Sequence, residues 1–321
     1  MEFTLLSSAG ALAASPLLHA QTERPRRIGI LLPGKVNEGL LASYRKRLSD
    51  LGWVERRNLA IEVRNAENRY ERLPGLTAGL VRLNVDVIVT VSTPVTRAAK
   101  DATATIPVVF AWVADPVASG LIASLARPGG NLTGLSNVVF EIAPKQFELL
   151  KALIPNLRRV AELRDPKFDR TQLLSAQLRD AAARAGIALI QVDASSAGEL
   201  EQAFATATRE RAQAMVVPPL PLYGEQSKRI AQLANQYRIP TAAQYRSFVD
   251  AGGLISYGPD LADGFVRTAV YVDKILRGAK PAELPVEQAD RFELVLNRKT
   301  AAALGLTIPQ SVMLQATEVI E

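Results

Sequence analysis

Val85–Pro116 restricts the fold more than any other stretch, because it reads as strand, turn, helix, strand, turn. Val85, Val87, Ile88, Val89 and Val91 form a short apolar run of the kind a buried parallel strand requires. Ser92-Thr93-Pro94 then stops the strand and opens a helix, with hydroxyls able to cap free amides and Pro suited to the first turn. Ile106–Trp112 returns as a second strand before Ala114-Asp115-Pro116. Both strands end in polar turns at their carboxyl side, where open α/β sheets place ligands. A helix N-terminus carrying Ser92 and Thr93 suits a carboxylate, and Asp115 one strand over suits an ammonium or hydroxyl. The same residues equally serve as ordinary loop caps, and this stretch alone leaves both roles open.

The pattern extends along the chain. Ile28–Leu32 is a buried strand ended by Pro33-Gly34, followed by a helix over about 37–51 with Gly52 at its stop. Leu59–Val63, a helix over 70–83, the central unit, a short helix over Gly120–Ala126 and a strand over Leu132–Ser136 complete a first half. A second half restarts near Pro144. It has strands at Arg159–Leu163, Ala188–Val192, Ala214–Val217 and Pro240–Ala243, with helices between them. This βα alternation predicts two Rossmann-like, doubly wound parallel-sheet lobes. The last residues give a strand at Gly253–Tyr257, a long helix at Leu261–Leu276, a strand at Glu293–Leu296 and a short helix. Such pieces cannot form a domain alone, so each adds to an earlier sheet. The expected division is 26–134 plus 253–282 for lobe 1 and 135–252 plus 283–321 for lobe 2. The chain then crosses near Ser136–Pro144, Gln244–Gly253 and Leu284–Phe292, a three-crossover hinge that lets two lobes close on a ligand.

Composition narrows the chemistry. Among 321 residues there is no Cys, and the one His is His19. Residues 1–20 read as an export signal: Phe3–Ala20 is apolar and small, and Leu18-His19-Ala20 fits a cleavage site, although Met1-Glu2 lacks the usual positive start. With His19 removed, disulfides, thiol nucleophiles, Cys/His metal sites and a Ser-His-Asp arrangement are excluded from the mature chain. With no Cys after the signal, the expectation is an exported, periplasmic protein that is not a lipoprotein. No later stretch approaches the ~20 apolar residues of a membrane span. The net charge of +6 is spread among interspersed acids and bases, which argues against nucleic-acid binding and suits a monomer. No G-x-G-x-x-G, G-x-x-x-x-G-K-[ST] or G-x-S-x-G motif is present, and the carboxylates form no clear acid/base pair, so no cofactor and no catalysis are expected.

The strand ends offer instead a set of polar and aromatic groups for holding a small organic molecule. In the first half these are Pro33, Ser92, Thr93, Pro94, Trp112 and Asp115. In the second they are Arg164, Asp165, Tyr223, Gln244 and Tyr245, with Tyr257 and Asp260 at the late strand. Each of the tyrosines is also an ordinary packing residue, and Arg164 an ordinary surface ion-pair residue.

Several stretches together resemble a known family: Asp86–Pro94 (DVIVTVSTP), Ile106–Pro116 (IPVVFAWVADP), Arg127–Leu135 (RPGGNLTGL), Tyr257–Asp260 (YGPD), Tyr271–Pro281 (YVDKILRGAKP), Leu284–Gln288 (LPVEQ) and Phe292–Pro309 (FELVLNRKTAAALGLTIP). The chain is similar to ABC-transporter substrate-binding proteins tied to tryptophan- and tyrosine-type amino-acid uptake. The resemblance implies a type I periplasmic-binding-protein fold and delivery of an amino acid or aromatic carboxylate to a membrane permease with a separate ATPase subunit. It also implies that Ser92, Thr93 and the amides after Pro94 hold the ligand carboxylate and Asp115 its amine. Tyr223, Gln244 and Tyr245 match by position only. A sensor feeding a membrane kinase or chemoreceptor shares this fold, and an α/β enzyme using Asp115 with a Lys is the alternative from another class.

Overall fold

The structure, a computed structural model, describes residues 24–34, 38–137, 142–168 and 171–321. The expected export signal, residues 1–20, lies outside the described residues.

In the first lobe, β1 (Arg26–Leu32), α1 (Glu38–Asp50), β2 (Leu59–Asn65), α2 (Leu73–Arg82), β3 (Val87–Val91), α3 (Thr93–Ala102), β4 (Val108–Ala114) and β5 (Leu132–Asn137) follow in chain order. The alternation of buried side chains explains why the sheet is covered on both faces. Ile28, Ile30, Leu32, Val87, Val89 and Val109 point into one apolar cluster, and Leu31, Ile88, Val108 and Phe110 into another. A strand buried on both faces must read as a continuous apolar run, which is what the sequence shows.

The second lobe contains α4 (Ile142–Leu153), β6 (Arg159–Arg164), α5 (Thr171–Arg184), β7 (Ala188–Asp193), α6 (Leu200–Arg209), β8 (Ala214–Val217), α7 (Pro221–Glu225), α8 (Ser227–Gln236), β9 (Thr241–Ala243), α9 (Arg246–Asp250) and β10 (Ile255–Pro259). The chain then returns to the first lobe for α10 (Leu261–Leu276) and β11 (Glu287–Gln288). It ends in the second with β12 (Phe292–Asn297), α11 (Arg298–Ala303), α12 (Gln310–Met313) and β13 (Glu318–Ile320). The sheets run β11-β5-β4-β3-β1-β2 and β13-β12-β10-β9-β8-β6-β7.

This arrangement corrects the expected lobe boundaries. The strand at 255–259 does not join lobe 1: Ile255 pairs parallel with Ala242 of β9 and antiparallel with Leu296 of β12. Only the following helix crosses, and α10 packs beneath β3, β4 and β5, with Phe265, Ala269, Tyr271 and Val272 in the apolar cluster on that face. The second crossover is therefore at Pro259–Leu261 and not at Gln244–Gly253. Asp260 marks the turn, its Oδ1 accepting the Ala262 and Asp263 amides, each at 2.9 Å, to cap α10. Residues 135–137 belong with the first sheet, as does β11, which pairs with Leu135 and Ser136. The first crossing follows Asn137 and the third lies between Gln288 and Phe292, within the expected stretches. β12 makes the second sheet mixed rather than wholly parallel.

One expected helix is absent. Gly120–Ala126 is a run of turns, with the Leu121 and Ile122 amides both donating to the Pro116 carbonyl. The α3 side chains of Arg97 and Lys100 donate to the Ser119 and Gly120 carbonyls, which leaves no helical ladder there.

Candidate ligand-binding cleft

The carboxyl ends of β1, β3, β4 and β5 form one edge, and those of β6, β8 and β9 form the opposing edge on the second lobe. A cavity of about 310 Å³ lies between the residues that follow β1 and β2 (Pro33, Asn68 and Tyr70) and those that follow β8 and β9, Pro218, Pro219 and Phe248 among others. Of all the side chains lining it, Glu225 alone is a carboxyl group, and no Lys or Arg is among them. Tyr70 has its phenol pKa raised by burial first and by Glu225 second.

Ser92 sits at the N-cap of α3, but its hydroxyl does not cap the helix. The backbone there has φ 76°, a left-handed value uncommon for a residue with a Cβ. Its Oγ is buried and makes no hydrogen bond. A strained residue holding an unpaired hydroxyl at a sheet's ligand-facing edge is the pattern of a site awaiting a partner. Thr93 is placed differently, its Oγ1 accepting the Ala114 amide at 3.3 Å and tying β3 to β4.

Neighbouring strand ends depart from the expected roles. The register between β4 and β5 shifts between Phe110 and Val113, and Trp112 adopts φ 56°. Gly134 permits the close approach: a Cβ there would lie 2.0 Å from the Phe110 carbonyl oxygen, at φ +146°. The bulge turns the Trp112 indole toward α10, where its ring lies 6.2 Å from Phe265 and its Nε1 occupies the space a side chain on Gly264 would need. Trp112 thus packs at the hinge and does not wall the cavity. Asp115 is engaged locally: its Oδ1 accepts the Ala118 amide at 2.9 Å, closing its own turn, and neither it nor Ser92 is among the cavity-lining residues. Pro94 faces an outer groove between α2 and α3 rather than the cleft.

On the second lobe the expected residues come together more closely. Tyr223, Gln244 and Tyr245 all line the cavity. Tyr223 is held by donating from its hydroxyl to the Ala194 carbonyl at 2.9 Å, so it contributes a fixed ring more than a free donor. Gln244 is 3 % exposed and its Nε2 has no partner. Room for it is made by Gly258, whose Cβ would fall 2.7 Å from the Gln244 Cγ. Burial pushes the Tyr245 phenol up to about 12, and the Asn137 side chain donates to its hydroxyl at 3.4 Å, lowering it somewhat. Tyr257 is not in the cleft. It stacks on Phe292 at 5.7 Å between ring centres and packs against the cluster built from α4, α5 and the second sheet. Arg164 forms a two-pronged pair with Asp193, at 2.7 and 3.0 Å, while the Asp165 side chain accepts from Ser195 at 2.6 Å. Both groups are occupied within their own lobe.

Sequence reasoning missed Asn68 and Tyr70, which line the cavity, and Asn137, which is buried and bonded to the cavity-lining Tyr245. Asn137 is the last residue of β5 and the point where the chain leaves the first lobe, so its place at an expected crossover was the available signal. Asn68 and Tyr70 follow β2 in a loop whose return over Pro33, through the Asn68 amide to the Pro33 carbonyl at 2.6 Å, has no local signature.

Two sheets of Rossmann type, three crossovers between them and a cleft bounded by opposed strand ends define a type I periplasmic-binding-protein fold. The family of ABC transporter substrate binding proteins matches over residues 38–320, and the chain belongs to that family. It is 27% identical over 261 residues to a tyrosine-binding protein of Clostridioides difficile, covering 81% of this chain and 75% of that one. Among solved structures it is similar to an ABC domain from Streptococcus pneumonia in complex with L-Trp, at 28% identity and a TM-score of 0.83, covering 92% of this chain and all of that one. A conserved domain protein from Vibrio cholerae is similar at 29% identity and a TM-score of 0.82, again over 92% of this chain and 100% of the other. The members of this family bind substrates for transporters rather than transform them. Among the described residues no helix is long and apolar enough to cross a membrane.

Proposed function

We propose that this chain is an exported, periplasmic receptor that captures an aromatic amino acid between its lobes and delivers it to a membrane permease driven by a separate ATPase. The observation that carries this reading is a cavity of about 310 Å³ with apolar and aromatic walls, adjoined by buried polar atoms that have no partner in the chain. Pockets of roughly 300–1,000 Å³ at domain junctions, with few polar groups, are typical small-molecule sites. Pro218, Pro219, Tyr223 and Phe248 face Tyr70 across the gap, a slot suited to a flat ring. The Ser92 hydroxyl and the first-turn amides of α3 supply donors for a carboxylate. The relatives that bind tyrosine and L-Trp support the same ligand class. Closure follows if the ligand touches both lobes, since only differential affinity shifts the population.

The test is thermal melting of protein stripped of ligand by unfolding and refolding, against aromatic and branched amino acids, purines and sugars. A ligand at a hundred times its Kd adds about 2.7 kcal/mol, which is a shift of several degrees for a chain this long. Shifts confined to L-Trp, L-Tyr or L-Phe are the expected result. Shifts with purines or sugars alone, or with nothing in the panel, would overturn the assignment. A monomer is expected in solution, checked by light scattering with and without ligand.

A further inference from the structure

An amide pair at the hinge offers more than the expected aspartate does. Asn137 and Gln244 are 4 % and 3 % exposed, so both lie well beyond nine-tenths buried. Each leaves one amide atom unbonded, Oδ1 of Asn137 and Nε2 of Gln244. They come from opposite lobes, Asn137 from the end of β5 and Gln244 from the turn after β9. They meet through Tyr245, which follows Gln244 and takes the Asn137 Nδ2–H on its hydroxyl at 3.4 Å. An unpaired buried amide atom costs about 1–3 kcal/mol, so two of them at one junction are not explained by folding. An unbonded acceptor and an unbonded donor, one from each lobe and linked through Tyr245, complement a group bearing both an N–H donor and an oxygen acceptor. The α-ammonium and α-carboxylate of an amino acid are such a group.

We propose that Asn137 and Gln244 form the head-group site of the ligand. Asn137 Oδ1 accepts from the α-ammonium, and Gln244 Nε2 donates to the α-carboxylate alongside the Ser92 hydroxyl. This rests on the amino-acid reading above and deepens it, because it assigns the head group to neutral amides drawn from both lobes instead of to Asp115. Asp115 already uses a carboxylate oxygen to close its own turn. A neutral site selects a ligand whose own charges cancel, and it needs both lobes present, so capture and closure become one event. Tyr245 is a positioning residue that holds the Asn137 amide from behind.

The experiment is calorimetric titration of stripped protein with L-tryptophan and L-tyrosine, using Asn137→Ala, Gln244→Ala, Asn137→Asp, Gln244→Glu and Asp115→Asn. Ligand-free melting temperatures identify any variant that fails to fold. The two alanine variants remove unpaired atoms and are expected to keep the fold even where a buried new charge does not. Each alanine variant is expected to weaken binding at least tenfold. Gln244→Glu sets a carboxylate against the ligand carboxylate and is expected to weaken it at least a hundredfold, while Asn137→Asp stays within a few fold of wild type or binds more tightly. Asp115→Asn is expected within twofold of wild type. Wild-type binding together with both alanine variants at wild-type affinity would overturn the amide site alone. A loss of thirtyfold or more in Asp115→Asn would return the ammonium to Asp115, and loss in Asn137→Asp with retention in Gln244→Glu would refute the assignment of donor and acceptor. If wild type binds neither amino acid, the functional reading itself falls.

Discussion

Replacing Ser92 by Ala separates stability from binding in a way few substitutions do. The Ser92 Oγ is buried and unpartnered in the ligand-free chain. A buried unpaired hydroxyl carries a desolvation penalty of about 1–3 kcal/mol, so deleting it leaves the free protein equally stable or more stable. At roughly 2–4 °C per kcal/mol for chains of 150–250 residues, and less for a longer one, the ligand-free Tm should hold or rise by a few degrees. In the proposed complex the same hydroxyl would donate to a carboxylate, a charged bond worth about 1.5–3 kcal/mol. Its loss weakens binding by about 10- to 150-fold. The backbone at φ 76° is shared by Ser and Ala, so strain does not enter that comparison. Ser92→Gly relieves the strain as well, about 1–3 kcal/mol, and should raise the ligand-free Tm further. Melting and calorimetry on stripped protein read both quantities. A clear fall in ligand-free Tm with affinity unchanged would refute the reasoning, because it would mean the hydroxyl serves the fold and not the ligand.

Gly134→Ala should not accumulate as folded protein, since its Cβ would lie 2.0 Å from a backbone oxygen of Phe110 that has no freedom to move; soluble yield and circular dichroism check this. Gly258→Ala places a Cβ 2.2 Å from the Gln244 carbonyl oxygen, so the turn after β9 must shift and affinity for L-tryptophan should fall at least tenfold by titration. Glu162, 1 % exposed, has its pKa raised chiefly by burial, against opposing hydrogen bonds from Ser175 and Gln191 and the nearby Arg164 and Arg179. The stability its neutral form supports is therefore full below the ordinary carboxyl pKa and is lost as pH rises through the raised value. Glu162→Gln should melt with wild type near about pH 4 and above it near about pH 8, and wild type melting higher at the upper pH would contradict this.

Much of the architecture is legible locally. The runs at 28–32, 87–91 and 108–114 alternate between two cores, so their side chains alone declare strands buried on both faces, and the intervening helical spacing dictates parallel order. The strand-end reading singled out Ser92 and Gln244; each leaves a buried polar atom unpaired, and Gln244 lines the cavity while Ser92 is not among its lining residues. Partner choice and side-chain aim lay beyond local pattern. The strand at 255–259 would fit either sheet by composition; its place was decided by β9 and β12, which lie before and after it in the chain. Trp112 was turned to the hinge by a bulge that depends on Gly134, Tyr257 was drawn into the second core by Phe292, and Asp115 was engaged by the Ala118 amide. Asn137 found its neighbour across the lobes in Tyr245, separated by 108 residues. Periodicity records how a segment meets its own sheet, because that burial repeats along the segment. Which distant group meets a given side chain is a single contact without repeat, and only the assembled lobes determine it.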